Sequence, residues 1–448
     1  MRSHALGRRD FLKLAAVMSV LPAQRGNAAD PWDEARAILA RIKEPAFPNR
    51  DFDAKGYGSI NEAIAACNSA GGGRVVVPAG EFTTGALRLK SRVNLHLSAG
   101  ATLKFSTDPK AYLPVVFTRW EGTELMSYSP FIYAFDEQDV AITGSGVLDG
   151  QSDATHWWDW TRSQAAARRK LVEFGAAGTP VAERVFGEGS FLRPNFIQPY
   201  RCRNVFIEGV TIRNSPMWEI HPVLCSNVIV RGVTIDSHGP NNDGCNPESC
   251  RDVLIEGCSF DTGDDCIALK SGRNNDGRRV GVPVENVIVR DCTMKDGHGG
   301  VTIGSEISGG ARNIFAERCK MDSPQLDRAL RMKTNSVRGG VIERVFMRDV
   351  TIGQVREAVV AIDFNYEEGD AGQFTPVVRD IEVRNVTSQK SNYALLLRGY
   401  ARTPVTNVRL QDCRFENVAR EDLLENVKDI VFRNVSVNGR ELNQSVTR

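Results

Sequence analysis

The chain has 448 residues, 42% of them hydrophobic, and a formal net charge of +1. Such a length supports a large core, and a solenoid, growing in one dimension, can exceed the usual single-core size. The near-neutral balance argues against a nucleic-acid binder, which usually carries a basic stripe. No apolar run reaches the ~18 residues of a membrane span, so no membrane-spanning segment is expected in the mature chain.

Taken in chain order, residues 1–29 read as a targeting segment. Gly7-Arg8-Arg9-Asp10-Phe11-Leu12-Lys13 is similar to the twin-arginine export motif, and an apolar stretch and a small-residue cleavage site after Ala29 follow it. Export by the twin-arginine machinery to the periplasm or medium is therefore expected. The remaining residues, 30–448, read as a single domain. A short helical pattern at 30–42 is expected to pack near one end of the molecule. A second at 59–70, with Ile60, Ala63, Ile64 and Cys67 on one face, is expected to cap an open solenoid end. Gly71-Gly72-Gly73 lacks a following Gly-Lys-Ser/Thr, so it reads as a turn rather than a phosphate loop. Early coils are expected at Val93–Leu97 and around Val140 and Ile142.

Residues 151–194 break this pattern. The segment contains His156-Trp157-Trp158-Asp159-Trp160 and a basic helical stretch with Arg168, Arg169 and Lys170. So long an insertion is a candidate wall over a cleft. Its tryptophans fit two roles equally, stacking on sugar rings or anchoring the insertion to the body.

From Asn204 onward a unit of about two dozen residues recurs. A polar anchor is followed by inward apolar residues at +1, +3, +6 and +8. Asn204 leads Val205, Ile207, Val210 and Ile212, and Asn227 leads Val228, Val230, Val233 and Ile235. The frame continues from Asp252, Asn286 and Asn313 and more loosely from Arg344, Asp380, Asn407 and Asp429. Alternation of period two, broken once, describes two short strands joined by a bend, and stacked units of this kind make a parallel β-helix. The Asn/Asp anchors predict a ladder of side chains at one corner. Wide spacings mark loops at 271–282 and 365–376, where binding chemistry commonly sits. Cys258, Cys292, Cys319 and Cys413 fall on an inward position, and Cys202, Cys225 and Cys250 lie two residues before their anchors. They read as small buried hydrophobes and mostly free thiols, with Cys245 and Cys250 the pair whose state stays open. No Cys/His spacing matches a zinc site.

The polar clusters gain meaning from the repeat frame. Asn241-Asn242-Asp243-Gly244, Gly263-Asp264-Asp265, Gly297-His298-Gly299 and Arg331-Met332-Lys333 fall after the second strand of four successive coils. Asp264 and His298 share an offset and are expected to stack, whereas Asp243 lies three residues out of register. Three neighbouring carboxylates repel one another, raise at least one pKa and leave a proton for general acid catalysis. A pair separated by roughly 6.5–9.5 Å would hold a water for inverting glycoside hydrolysis. Arg331 and Lys333, alternate residues on a strand, would recognise a sugar carboxylate.

On these four motifs the chain resembles the polygalacturonases of glycoside hydrolase family 28. The family pattern is Asn-Thr-Asp-Gly, Gly-or-Gln-Asp-Asp, Gly-His-Gly and Arg-Ile-Lys, and the departures here are Asn242 and Met332. The resemblance implies a right-handed parallel β-helix and inverting, metal-independent hydrolysis of α-1,4-linked galacturonic acid in pectic polysaccharide, with no cofactor. It assigns Asp264 as general acid, Asp243 and Asp265 as the water-activating pair and His298 as the group that maintains the acid. It places Arg331, Lys333 and Asn241 on the substrate. The insertion at 151–194 resembles those of bacterial exo-acting members. Rhamnogalacturonan or xylogalacturonan hydrolysis, a pectate lyase and a non-catalytic polysaccharide-binding β-helix are the alternatives.

Overall fold

The structure, a computed structural model, describes residues 30–448; the export motif and cleavage site lie outside the described residues. Strands of successive coils pair in parallel and in register. Val205 lies beside Val228, then Val253, Val287, Ile314, Val345, Ile381, Val408 and Ile430. The first and second strands of each coil form one sheet of 22 strands. The inward residues named by the repeat are buried in a single continuous core.

Each anchor adopts a left-handed backbone, from Asn204 (φ 58°) to Asp429 (φ 58°). Asn and Asp tolerate this region better than other residues with a side chain. The anchors also form the expected ladder. Asn227 Nδ2 donates to Asn204 Oδ1 at 2.8 Å, Asn286 to Asp252 at 3.1 Å and Asn313 to Asn286 at 3.0 Å. Arg344 takes the same backbone and continues the ladder through Nε to Asn313 Oδ1 at 2.6 Å.

Each coil also has a third strand, which the two-strand frame did not contain. Ile267–Leu269, Val301–Gly304, Arg328–Lys333, Ala358–Asp363, Tyr393–Arg398 and Leu423–Glu425 form a separate six-stranded sheet. Single bridges from Ile197 to Ile220, Cys245 and Ile267 carry its register towards the N-terminus. Its outer face carries the chemistry.

Helix α1 (Pro31–Arg41) corrects one expectation. It lies on the flank of the solenoid rather than near an end, because its apolar stripe of Trp32, Ala35 and Ile38 matches an outward apolar row. That row runs through Phe206, Ile229, Leu254, Ile288 and Phe315. Helix α2 (Ile60–Ser69) buries Ile60, Ala63, Ile64 and Cys67 against the first coils and covers the core as expected. At the other end Arg440–Val446 pairs antiparallel with the final coil strand.

The insertion contains helix α3 (Ala165–Ala177) and is anchored by its tryptophans. Trp157 is buried against Tyr112, Phe131 and Trp160, and Trp158 Nε1 donates to the Ser215 carbonyl at 2.8 Å. The loop expected at 271–282 folds as helix α4 (Asn274–Val280). A hairpin of Val116–Trp120 and Thr123–Ser127 is an additional element that the sequence did not reveal. All ten cysteines are buried and unpaired, including Cys245 and Cys250. Among the described residues no helix is long and apolar enough to cross a membrane.

Candidate active site

The third sheet exposes every second residue outward, so its rows run along the solenoid. One row passes through Ala268, Thr302, Arg331, Ala361 and Leu396. A parallel row holds Tyr200, Val223, Glu248 and Lys270, and farther along Gly304, Lys333, Asp363 and Arg398. The acidic motifs occupy the turns that lead into these strands.

The register explains how Asp243 reaches the others. Val228 pairs with Val253, a shift of 25, whereas Cys245 pairs with Ile267, a shift of 22. The turn between second and third strands absorbs the three-residue difference. Gly244 N consequently donates to the Asp265 carbonyl at 3.0 Å, and the carboxylates of Asp243, Asp264 and Asp265 come within 4.8 Å of one another. Backbone and side chain both join His298 to Asp264. His298 N donates to the Asp264 carbonyl, and Nδ1 lies 3.0 Å from Asp264 Oδ1. Gly299 is required here, because a Cβ would sit 2.2 Å from Thr302 Oγ1 and 2.9 Å from Asp265 Oδ1.

The three aspartates differ sharply in surroundings. The Asp265 side chain is fully buried and receives Lys333 Nζ at 2.7 Å, Thr302 Oγ1 at 2.9 Å and Arg331 Nη1 at 3.2 Å. Burial works to raise its pKa, but Lys333 and then Arg331 outweigh it and hold the group well below the usual carboxylate range. Asp243 is also buried, with only Asn246 Nδ2 at 2.8 Å and a looser Lys270 Nζ at 3.6 Å. Burial, followed by the charge of Asp264, pushes it well above that range. Asp264 has the most exposed carboxylate, 17% against 4% for Asp243 and 0% for Asp265. His298 is half exposed, and its hydrogen bond to Asp264 raises its pKa.

Arg331 and Lys333 both point at Asp265, and their cationic groups lie 5.7 and 5.2 Å from the centre of the Tyr366 ring. Asn241 lies beside the cluster, with its Oδ1 accepting from Arg193 Nη2 at 2.7 Å. Asn242, the departure from the family pattern, is a buried brace that accepts from Ser237 Oγ and Gly239 N and donates to the carbonyls of Ser215 and Met217.

Lys270, Thr302, Asn246, Arg193 and Tyr366 were missed from the sequence. The three-residue strand Ile267–Leu269 carries too little alternation to place Lys270, but aligning it with Arg328–Lys333 would have put both lysines in one outward row.

Towards the N-terminal coils this face is covered. Arg119, from the hairpin, is fully buried and donates to Glu248 Oε1 at 3.1 Å and Glu124 Oε1 at 3.3 Å. Beneath it Gln198 and Asn195 donate to His221 Nδ1, so Nε2 carries the hydrogen shared with Glu248 at 2.7 Å. Burial lowers the His221 pKa, consistent with a neutral ring. Arg168 of α3 and Arg273 both bind Glu121 Oε2, at 2.8 and 2.9 Å, tying the insertion and the start of α4 to the hairpin. The groove is therefore closed on one side of the aspartates and open on the other.

A β-helix whose outer groove holds a clustered acid/base set has the construction of a polysaccharide-cleaving enzyme. Residues 188–437 match the model for Glycosyl hydrolases family 28, and the chain belongs to that family. It is a glycosidase. It is 44% identical to a hyperthermoactive exopolygalacturonase from Thermotoga maritima, with a TM-score of 0.91 over 93% of this chain and 98% of that one. A probable polygalacturonase of Vitis vinifera is 28% identical over 82% of this chain and 72% of its own length. An exo-poly-alpha-D-galacturonosidase of Dickeya chrysanthemi is 26% identical over 76% of this chain and 61% of its own.

Proposed function

We propose that the chain hydrolyses α-1,4-galacturonosyl linkages of polygalacturonate from a chain end, by an inverting mechanism independent of metal. The closed groove carries the exo reading. With Arg119, Gln198, His221 and Glu248 filling the N-terminal side, a polymer can enter only until its end meets this wall. The linkage over the aspartates is then near the terminus. A product time course tests this, with mono- or digalacturonate as the first product expected and early mixed oligomers rejecting it.

Asp264 is the acid, since its carboxylate is the one open to the groove. Burial and the nearby charge of Asp264 raise the pKa of Asp243, so in the free enzyme Asp243 holds its proton well above the usual carboxylate range. Transfer of that proton to Asp264 leaves Asp243 as base and Asp264 as acid, the pair of states that hydrolysis needs. Asp265 remains a carboxylate because Lys333 and Arg331 bind it, and it orients the water with Asp243. A direct attack by carboxylate on the sugar is disfavoured. Asp265 is committed to two cations and Asp243 is buried and hydrogen-bonded, so water is the nucleophile. Proton NMR of the first product decides this: β-galacturonate from the α-linkage means inversion, and α-galacturonate means retention.

The carboxylate cluster is tight enough to grip a cation, but Lys333, Arg331 and Lys270 already supply positive charge around it. Full activity in chelator is the expected result. Export by the twin-arginine route rests on the Arg8-Arg9 pair, and replacing both by Lys is expected to retain the precursor inside the cell.

A further inference from the structure

On the open side the groove does not end at Lys333. The outward rows run on through Ala361 to Leu396 and through Asp363 to Arg398. A small gap lined by Arg331, Lys333, Tyr366 and Arg398 leads into a cavity of about 470 Å³ over the next two coils. Leu396, flanked by Tyr393 and Leu423, gives this cavity an apolar floor, and Ala361 lines the gap beside it. Arg356, Arg398 and Arg420 rim it.

The cations here exceed the anions. Arg328, Arg331, Lys333, Arg356, Arg398 and Arg420 face Asp265, Asp327, Glu357, Asp363 and, beside Arg398 in the same row, Glu425, a surplus of one. Arg356 is 59% exposed while touching Asp327. Arg398 donates through Nη2 to Asp363 at 2.6 Å, but its Nε is buried without a partner. Among the described residues Arg420 makes no ion pair, and its Nη1 lies 3.1 Å from the Tyr393 hydroxyl. An apolar floor with an arginine rim suits a sugar whose ring has an apolar face and whose edge carries a carboxylate.

We infer that this trough binds the trailing, uncleaved part of the polyanionic chain, so that Arg356, Tyr393, Arg398 and Arg420 set a preference for polymer over short oligomers. The inference rests on the exo reading: one end of the chain is fixed by the wall, so the remainder must leave along the open rows. These arginines act on retention of the polymer between cuts and make no contact with the scissile bond.

The test uses Arg356→Glu and Arg420→Glu, both on exposed side chains. The ratio of kcat/KM on polygalacturonate to kcat/KM on digalacturonate is expected to fall about tenfold in the double variant, as two rim charges are reversed. Equal change on both substrates, or none on either, would overturn the inference. Binding is measured separately, by titrating polygalacturonate into the full-length Asp264→Asn protein with and without the two reversals, with neutral dextran as control. Wild-type protein that cleaves nothing, yet loses polymer binding on charge reversal, would overturn the hydrolase reading and leave the trough standing. Polymer binding indifferent to the reversals would overturn the trough whatever the activity.

Discussion

Lys333 Nζ lies 2.7 Å from Asp265 Oδ2 in a pair that water hardly reaches, the lysine side chain 7% and the aspartate 0% exposed. Arg331 closes the other oxygen of the same carboxylate. The coil bearing Arg-x-Lys thus holds an aspartate two coils away in its charged form.

Lys333→Met should therefore do more than weaken substrate affinity. It leaves a buried carboxylate with Arg331 as its remaining ion-pair partner, and loss of one partner of a buried pair costs about 3–5 kcal/mol. Urea unfolding should show that loss together with a lower kcat. Asp265→Asn combined with Lys333→Met should destabilise by less than the two single changes added, since the second removes the charge the first has stranded. Strict additivity would mean the pair does not interact.

His298 gives a pH prediction. Its pKa is raised by the bond to Asp264, so the charged ring and its ion pair are fully present below the ordinary imidazole value. They are lost as pH rises through the folded value. Activity should decline across that window, and His298→Gln should lower kcat roughly 10-fold or more and remove that part of the alkaline limb. A pH–rate profile of the variant with the wild-type alkaline limb would exclude the ring as its source.

Glu219 is fully buried, and among the described residues neither of its carboxyl oxygens has a hydrogen-bond partner. Burial raises its pKa well above the carboxylate range. The protonated group suits the fold at low pH, and stability falls as pH rises above the unfolded carboxylate value. Glu219→Gln should unfold later than wild type at neutral pH, by about 1–2 kcal/mol, and the two should converge near pH 4. Thermal melts at the two pH values check this.

The cysteines should be silent in the native protein. All ten are buried without disulfides, so a thiol reagent should label none before unfolding and all ten after it. Reductant should leave the melting temperature unchanged, and a drop would reveal a bridge.

The repeat frame made the coils legible because period-two alternation and left-handed Asn or Asp corners are local signals. Val205 to Ile430 stack as read, and Asn204, Asn227 and Asn286 take the corner backbone that their residue type favours. The joining of Asp243, Asp264, Asp265 and His298 was legible too, since equal offsets on stacked coils mean proximity. What stayed hidden depends on tertiary pairing. The third strands are short and alternate polar residues against a groove rather than against bulk water, so Lys270 looked unremarkable. The hairpin with Arg119 lies outside the repeat frame and left no signal in it, and only its packing onto Glu248 makes it a wall. Arg331 and Lys333 were located correctly, but their partner Asp265 lies 66 and 68 residues away in sequence.

The acid role proposed for Asp264 depends on successive coils holding a sugar over Asp243 and Asp265. Its most direct test is kcat of Asp264→Asn on oligogalacturonate, measured beside oligomer binding and the far-ultraviolet circular dichroism spectrum. A loss of about 10³-fold or more is expected, with binding and spectrum close to wild type. Turnover within about tenfold of wild type in a folded variant would contradict it.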